Sequence, residues 1–347
     1  MGQSVDRTLA ERYHQRERIW HVWEVAAPSP AAPVPPELRV HGHMMEADRL
    51  RDVPKAHTSD GIDLHYEESG TGPPILFIHE FAGDHRSWLP QVERLCATHR
   101  CIVYAARGYP PSDVPADIAA YSQDLAVEDA LAVLDAASAD QARVVGLSMG
   151  AFVALHLVLR HPLRVRAAVV GGVGYGSQPE KEAQFRQECI ALAESFESKG
   201  SAAVAETYAV GPARVQLQNK RPDAWLKFKS ELAEHDPSGA ALTMRGVQAG
   251  RPSLYQLQDG LRAIRTPMLI VAGDEDEGSL EPSLMLKRTI PTAGLMILPR
   301  TGHVINLEEP EAFNRALAVF FEAVESGRWT ARDPRAVAGS ITGVRAP

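Results

Sequence analysis

One stretch of nine residues predicts the fold most directly: Val144-Val145-Gly146-Leu147-Ser148-Met149-Gly150-Ala151-Phe152. The apolar residues at its start are typical of a buried strand, and the residues after Ser148 can begin a helix. Glycines two positions before and after the serine remove side chains that would clash in a sharp strand-to-helix turn. An ordinary β-to-α turn is the alternative interpretation. The favoured one is a nucleophilic serine at the end of a strand.

The regions around this stretch alternate between strand and helix patterns. Short apolar runs at 75–78, 101–104, 167–170, 268–271 and 295–298 are typical of strands buried on both faces. Residues 62–66 alternate with period two, which predicts a half-buried edge strand. Segments such as 125–134 and 313–324 have apolar residues at helical spacing. The alternation predicts an α/β fold, a mostly parallel central sheet covered by helices on both faces.

The alternation lapses from about residue 172 to residue 261, where the pattern is helical throughout. This predicts an inserted helical lid over about residues 173–262. Its larger aromatic residues are expected to pack against the body rather than to contact a ligand, with lining of the pocket left as the alternative for some of them: Phe185, Phe196, Trp225 and Phe228. The glycine-rich stretch 171–176 lacks the acidic residue of a dinucleotide site, so it is interpreted as a flexible entry to the lid.

The chain is expected to have three parts. Residues 1–55 form an N-terminal extension with a proline-rich linker, residues 56–326 form the α/β domain with its inserted lid, and residues 327–347 form a C-terminal tail. Apolar surface in the extension could pack on the body, or on a second copy to form a homo-oligomer; it comes from Tyr13, Ile19, Trp20 and Trp23. Disorder of the extension is the alternative.

A nucleophilic serine needs a base that removes its proton and an acid that orients the base. In enzymes with a serine on such a turn, the acid and then the histidine follow it along the chain, each in a loop after a strand. Asp276 follows the strand at 268–271, and His303 follows the strand at 295–298. Asp274 and Glu275 are the other acidic candidates, but we expect them to cap the turn.

Taken together, these motifs resemble the α/β-hydrolase superfamily over roughly residues 56–326, in its serine hydrolase branch with a helical lid. The resemblance implies an oxyanion hole formed by the backbone N–H groups of Phe81 and Met149. The family's His-Gly-x-x-Gly signature corresponds to residues 79–83, where Glu80 replaces the first glycine. The segment 107–113 resembles the family's R-G-x-G-x-S loop, with Pro110 in place of the second glycine.

Glu80 is the main departure from the family pattern. A carboxylate aimed at a developing oxyanion would oppose catalysis, because like charges repel strongly where water is scarce. We therefore expect Glu80 to point away, toward Arg107 or local backbone N–H groups, and to support the loop that carries the Phe81 amide. His79 and Arg107 are further supporting candidates. Alternatively, Glu80 faces the substrate as an additional acid or base.

The leading functional hypothesis is hydrolysis of a carboxylic ester or lactone through an acyl-enzyme on Ser148. The alternatives are hydrolysis of a C–C bond in a 1,5-diketone-like substrate and acyl transfer to an acceptor other than water. A ligand sensor of the same fold is the non-enzymatic hypothesis. A serine rather than an aspartate nucleophile argues against the haloalkane dehalogenase and epoxide hydrolase branches.

Composition excludes several other classes. The formal net charge is −8 and basic residues are scattered, which argues against nucleic acid as a partner. The start of the chain lacks the apolar core of a secretory signal, and apolar stretches are too short to span a bilayer, so a soluble, cytoplasmic protein is expected.

Cys96, Cys101 and Cys189 are expected to be reduced thiols. His41 and His43 could mimic a metal pair but lack carboxylates nearby. No metal or organic cofactor is implied, and the expected partner is a small-molecule substrate.

Overall fold

The computed structural model describes residues 54–337. Eight strands form one sheet in the order β1-β2-β4-β3-β5-β6-β7-β8. The pairs β1–β2 and β2–β4 are antiparallel, and the remaining neighbours are parallel. In chain order the strands are β1 (Lys55–His57), β2 (Asp63–Ser69), β3 (Pro74–Ile78), β4 (Arg100–Tyr104), β5 (Ala142–Leu147), β6 (Val165–Gly171), β7 (Met268–Gly273) and β8 (Ala293–Leu298).

The α-helices fall into two groups. Six connect or follow the strands: α1 (Leu89–Leu95), α2 (Gln123–Ala136), α3 (Met149–Arg160), α9 (Glu277–Thr289), α10 (Ile305–Glu308) and α11 (Pro310–Glu325). The other five lie between β6 and β7: α4 (Glu182–Tyr208), α5 (Val215–Lys220), α6 (Pro222–Ala233), α7 (Pro237–Leu242) and α8 (Gln258–Ala263). We call residues 172–267 the inserted segment and the rest of the described chain the body.

The sheet is buried on both faces, because neighbouring residues of each inner strand point in opposite directions. In β3, Phe77 belongs to the apolar cluster that contains α11, whereas Leu76 belongs to the cluster that contains α2, α3 and α9. Both side chains are fully buried. The prediction of a mostly parallel sheet covered on both faces is confirmed.

The prediction of an edge strand at residues 62–66 is wrong. That segment is β2, and β1 pairs along its outer side while β4 pairs along its inner side. The three-residue strand β1 was too short to leave a periodic signal in the sequence. The extension, residues 1–55, lies outside 54–337 except for its last two residues, and the tail, residues 327–347, is described only as far as residue 337. Both predicted boundaries stay predictions. No helix within 54–337 is long and apolar enough to cross a membrane.

Candidate active site

Ser148 lies between β5 and α3 in a backbone conformation that side-chain-bearing residues rarely adopt. Its φ is 52° and its ψ is −111°. A residue other than glycine at positive φ is strained, and such strain is often found at functional sites. The serine N–H donates to Gly171 O at 2.8 Å, which ties the turn to the end of β6.

The two glycines of the motif allow this turn. A Cβ atom on Gly146 would lie 2.2 Å from the carbonyl oxygen of Gly150, and one on Gly150 would lie 2.1 Å from the carbonyl oxygen of Ile78. Neither contact can be relieved by a side-chain movement, because both partners are backbone atoms. The G-x-S-x-G spacing is therefore a packing requirement between β5, α3 and β3.

His303 and Asp276 form a buried pair at the ends of β8 and β7. The Nδ1 atom of His303 lies 2.9 Å from Oδ2 of Asp276. Burial tends to raise the pKa of Asp276, but His303 and the hydroxyl groups of Ser279 and Tyr175 outweigh it, so the pKa of Asp276 is below its ordinary value. Asp276 is thus an anion that can hold Nδ1 as the protonated nitrogen and leave Nε2 free to accept a proton.

Asp274 has a different position from Asp276. Its Oδ1 accepts a hydrogen bond from the Thr301 N–H at 3.1 Å, so it joins the loop after β7 to the loop after β8. The next residue, Glu275, donates its N–H to Thr301 O at 3.0 Å. As expected, these residues shape the turn, and Asp276 is the one that contacts His303.

Glu308 holds the loop that carries His303. Its buried carboxylate accepts from the N–H groups of Gly302 at 2.6 Å and of Val304 at 3.2 Å. Because these two donors flank His303, the backbone on both sides of the imidazole is fixed by one side chain. The sequence analysis did not identify Glu308, although its place at the start of a helix after the histidine is a usable signal.

Two glycines at the end of β6 contact the backbone of Ser148 and the ring of His303. Gly171 accepts the Ser148 N–H, and a Cβ on Gly172 would lie 3.3 Å from Nδ1 and Cε1 of His303. Within residues 54–337 no hydrogen bond joins Ser148 Oγ to His303 Nε2. Bonds of this type commonly tighten only when substrate binds. The Tyr175 ring packs edge-on against the His303 ring, with centroids 5.1 Å apart.

Phe81 and Met149 offer free backbone donors beside Ser148. Among the described residues, neither N–H donates to a protein acceptor. Met149 is the first residue of α3, where backbone N–H groups have no partner inside the helix. Two unpaired N–H groups near a nucleophile are suited to stabilise a developing oxyanion.

The loop that carries Phe81 is held through its carbonyl groups. His79 Nε2 accepts from the Ala106 N–H at 3.1 Å, so its Nδ1 carries the proton and donates to Glu80 O at 2.7 Å. Burial lowers the pKa of His79, which keeps the ring neutral in this role. The Tyr109 hydroxyl donates to Phe81 O at 2.8 Å. With both carbonyl groups fixed, the Phe81 N–H keeps one direction.

Glu80 pairs with a residue of the inserted segment and not with Arg107, which was the expected partner. One guanidinium nitrogen of Arg214, in the inserted segment, lies 2.6 Å and 2.9 Å from the two Glu80 carboxylate oxygens. Both side chains are almost fully buried. Burial opposes charge on Arg214, but Glu80 outweighs it and the pKa of Arg214 is raised. The guanidinium also packs on the Tyr208 and Phe228 rings, at 5.1 Å and 5.0 Å from their centroids.

Arg107 makes a separate network in the body. It binds Asp129 at 2.6 Å and Asp60 at 2.8 Å, and it also donates to Ala120 O. From the sequence, Arg107 was one of the expected partners of Glu80, together with local backbone N–H groups. Arg107 instead anchors the beginning of the loop whose Tyr109 holds Phe81. Its effect on the site is therefore indirect.

The inserted segment contacts both sides of the site and encloses a cavity. Lys220 Nζ donates to Glu309 Oε1 at 2.6 Å and to Thr301 Oγ1 at 3.3 Å, beside the His303 loop. A cavity of about 350 Å³ lies within the inserted segment, mainly apolar side chains line it, and its wall residue Tyr175 is the one that packs against the His303 ring. Its walls include Tyr175, Phe185, Leu192, Tyr208, Arg214 and Met244. Phe185 lines this cavity, which is the alternative that the sequence left open for it.

Comparison with known proteins identifies the family. The model of the alpha/beta hydrolase family matches residues 75–316, more than half of the chain. The chain therefore belongs to the alpha/beta hydrolase family. Several similar proteins are named as hydrolases, among them a carbamate hydrolase, an enol-lactonase and an esterase, and the chain is a hydrolase.

Three similar proteins illustrate the range of the family. The chain is 29% identical over 283 residues to a putative carbamate hydrolase of Azorhizobium caulinodans, covering 77% of this chain and 98% of the relative. It is 30% identical over 290 residues to a 2-hydroxymuconate semialdehyde hydrolase of Pseudomonas putida, covering 77% and 93%. A thermophilic esterase from Thermogutta terrifontis, solved with malate bound, matches with a TM-score of 0.70 and 26% identity, covering 78% and 98%.

Proposed function

We propose that the protein hydrolyses a carboxylic ester or lactone through an acyl-enzyme on Ser148. One observation carries the proposal: the strained serine faces the end of β6, and the Asp276–His303 pair lies against the next residue, Gly172. A nucleophile, a base and an orienting acid are the three parts that acyl transfer by a serine requires.

In the proposed reaction, Ser148 Oγ attacks the carbonyl carbon of the substrate and its proton passes to His303 Nε2. The carbonyl oxygen becomes an oxyanion that accepts hydrogen bonds from the Phe81 and Met149 N–H groups. When the bond to the leaving alkoxide breaks, His303 returns the proton to that oxygen. Water then cleaves the acyl-enzyme by the same route. Asp276 stabilises the imidazolium that forms in both steps.

The mainly apolar lining of the cavity in the inserted segment favours a substrate with an apolar portion. Its volume of about 350 Å³ is at the lower end of the range for small-molecule sites. Glu80 and Arg214 compensate each other, so the pair leaves no uncompensated charge next to the oxyanion donors. We propose that the inserted segment acts as a lid that selects the acyl or leaving group. A neutral ester or lactone of modest size fits this environment.

Hydrolysis of a C–C bond is the second candidate. The relative from Pseudomonas putida, 30% identical over most of both chains, is named a 2-hydroxymuconate semialdehyde hydrolase. A serine, histidine and aspartate in the same positions can serve either reaction, so the substrate separates the candidates. A panel of aryl esters of increasing acyl length, lactones and vinylogous diketones tests both with one preparation.

A fluorophosphonate probe tests the serine mechanism itself. Wild type should be labelled and S148A should not, whereas S198A, which removes an exposed serine on α4, should be labelled like wild type. An activated aryl ester should give a burst of product followed by steady turnover. Equal labelling of wild type and S148A would contradict the proposal. A burst with almost no later turnover would favour a ligand sensor or an acyltransferase without its acceptor.

A further inference from the structure

We propose that His65, Glu67 and His85 bind a divalent transition metal ion of the zinc class, at a site separate from Ser148, Asp276 and His303. The three side chains come from two elements. His65 and Glu67 are two residues apart in β2 and therefore point to the same face of the strand. His85 begins the short 3₁₀ helix His85–Trp88, which follows the loop that carries Phe81. The two imidazole rings meet edge-on with centroids 5.0 Å apart.

The distances among the three side chains suit a metal ion. The Nε2 atoms of His65 and His85 lie 3.0 Å and 3.5 Å from the same oxygen, Oε1 of Glu67. All three candidate ligand atoms lie within 4.8 Å of one another. Ligands bound tetrahedrally at about 2.0–2.1 Å are about 3.3 Å apart. The two nitrogen-to-oxygen distances, 3.0 Å and 3.5 Å, are close to this spacing.

The protonation of His85 supplies an independent argument. When both Nε2 atoms donate to Glu67, His85 Nδ1 carries a buried lone pair, and it meets no hydrogen-bond partner among residues 54–337. A metal ion bound at Nε2 places the remaining proton on Nδ1. That N–H then faces Asp84 Oδ1, 3.8 Å away. A carboxylate behind a metal-bound histidine is a recurring arrangement, since it fixes the tautomer.

The proton balance of binding is simple. Each imidazole keeps one proton, which moves from Nε2 to Nδ1 by exchange with solvent, so the histidines release none. The carboxylate of Glu67 supplies one negative charge to the ion.

The chemistry of the donors selects the metal. Two imidazoles and one carboxylate favour zinc, cobalt or nickel over magnesium and calcium, which prefer oxygen ligands. A cavity of about 210 Å³ lined by Glu67 and His85 leaves space for a water molecule as the fourth ligand. The nearby cation Arg86 is bound by Asp84 and Glu234, and Lys227 lies 3.8 Å from Glu231, so both charges are compensated.

Binding of a metal ion would connect β2 to the end of the loop that carries Phe81. His85 is four residues after Phe81, and Asp84 already caps the 3₁₀ helix by accepting the Arg86 N–H. An ion at His85 therefore restricts the last residues of this loop. We expect zinc to raise the melting temperature of the wild-type protein, because a ligand that binds only the folded state stabilises it.

Titration calorimetry with zinc chloride on the untagged full-length chain tests the proposal, with cobalt absorption as a second readout. We expect one ion per chain in the micromolar range and no displacement by magnesium. E67Q changes an exposed side chain, and H85Q keeps a neutral polar group. Each should weaken binding at least tenfold, and D84N should weaken it less.

Two control variants locate the ion. H41Q/H43Q removes the histidine pair of the extension, and H161Q removes a half-exposed histidine that lies near Glu128. Both should bind zinc like wild type. The proposal is overturned if wild type binds no zinc at about 100 micromolar. It is also overturned if E67Q and H85Q bind like wild type, or if H41Q/H43Q alone removes the site.

Discussion

The body and the inserted segment contribute to the candidate site in different ways. The body supplies Ser148, Asp276 and His303 from loops at the ends of parallel strands, each within a few residues of its strand. The inserted segment supplies side chains that reach across to these loops, mainly Arg214 and Lys220. In the body, the order of the strands and the turns that follow them set the positions of these three side chains. In the inserted segment, pairing with residues far away in the sequence sets the positions of Arg214 and Lys220.

This difference separates the groups proposed to react from the groups proposed to support them. The groups proposed to react lie at the ends of parallel strands, and neighbouring strands set their spacing. Arg214 acts on the oxyanion loop through Glu80, and Lys220 acts on the His303 loop through Thr301 and Glu309. Substitutions in the body should therefore reduce kcat, whereas those in the inserted segment should mainly reduce stability or change substrate preference.

The largest effect is expected for S148A. Removing the nucleophile of a serine triad lowers kcat on the order of a millionfold, while the fold is retained. Because alanine is also strained at positive φ, the melting temperature should change little. Steady-state kinetics on the best substrate of the ester and lactone panel measure the loss. Residual turnover within a hundredfold of wild type would show that another residue is the nucleophile.

The second effect distinguishes the two aspartates of the loop after β7. D276N should lower kcat by about ten-thousandfold, because an amide stabilises the wrong histidine tautomer and cannot stabilise the imidazolium. D274N keeps a side-chain acceptor for the Thr301 N–H, so it should retain most of the activity. If D274N is the damaging variant, the acid has been assigned wrongly.

The third effect concerns the ion pair between the two regions. R214M leaves the Glu80 carboxylate buried without its partner, which should lower the free energy of unfolding by about 3–5 kcal/mol. E80Q should change kcat less than about tenfold, because shape and hydrogen bonding are kept. Denaturant unfolding of both single variants and of the E80Q/R214M double variant measures the coupling. Additive effects of the two substitutions on the free energy of unfolding would show that the pair does not join the regions. A hundredfold loss of kcat in E80Q would favour direct proton transfer by Glu80.

The smallest effect appears when pH is lowered, and it involves one histidine from each region. Burial lowers the pKa of His156 in α3 and of His235 in the inserted segment, in each case to about 4. The unfolded chain then binds more protons between about pH 6.5 and pH 4, so the free energy of unfolding falls as pH falls through this window. Each histidine contributes up to about 3 kcal/mol to that fall.

The measurement is chemical unfolding of wild type, H156Q and H235Q at several pH values in this range. Each variant should lose part of the pH dependence, whereas H161Q, which changes a half-exposed histidine, should keep it. If all four proteins show the same slope, these buried histidines are not responsible.

The fold and the arrangement of Ser148, Asp276 and His303 could be predicted because their signals are local. The apolar runs, the glycine spacing and the position of each polar residue after a strand all lie within short stretches of sequence. Asp276 could be preferred over Asp274 by its distance from the strand end alone. The catalytic roles of these residues stay predictions, even though the structure brings two of them into contact.

The partners of Glu80 and Arg107 could not be predicted, because they depend on contacts between distant residues. Arg214 is 134 positions from Glu80, and no periodic pattern connects them. His85 is similarly unconnected to His65 in the sequence, although His65 and Glu67 show strand spacing. The three-residue strand β1 was missed for another reason, since it is too short to show alternation.

The buried pair of Glu80 and Arg214 also has a consequence for how this branch of the family can diverge. Either charge alone in that position is costly, so a lineage that loses one of them must pass through a poorly stable ancestor or lose both together. A glycine at position 80, as in the usual family signature, should therefore be inherited with an uncharged residue at position 214. Related sequences can be sorted into two groups by these two positions. The residue at position 214 of the inserted segment would then indicate which residue the same protein has at position 80.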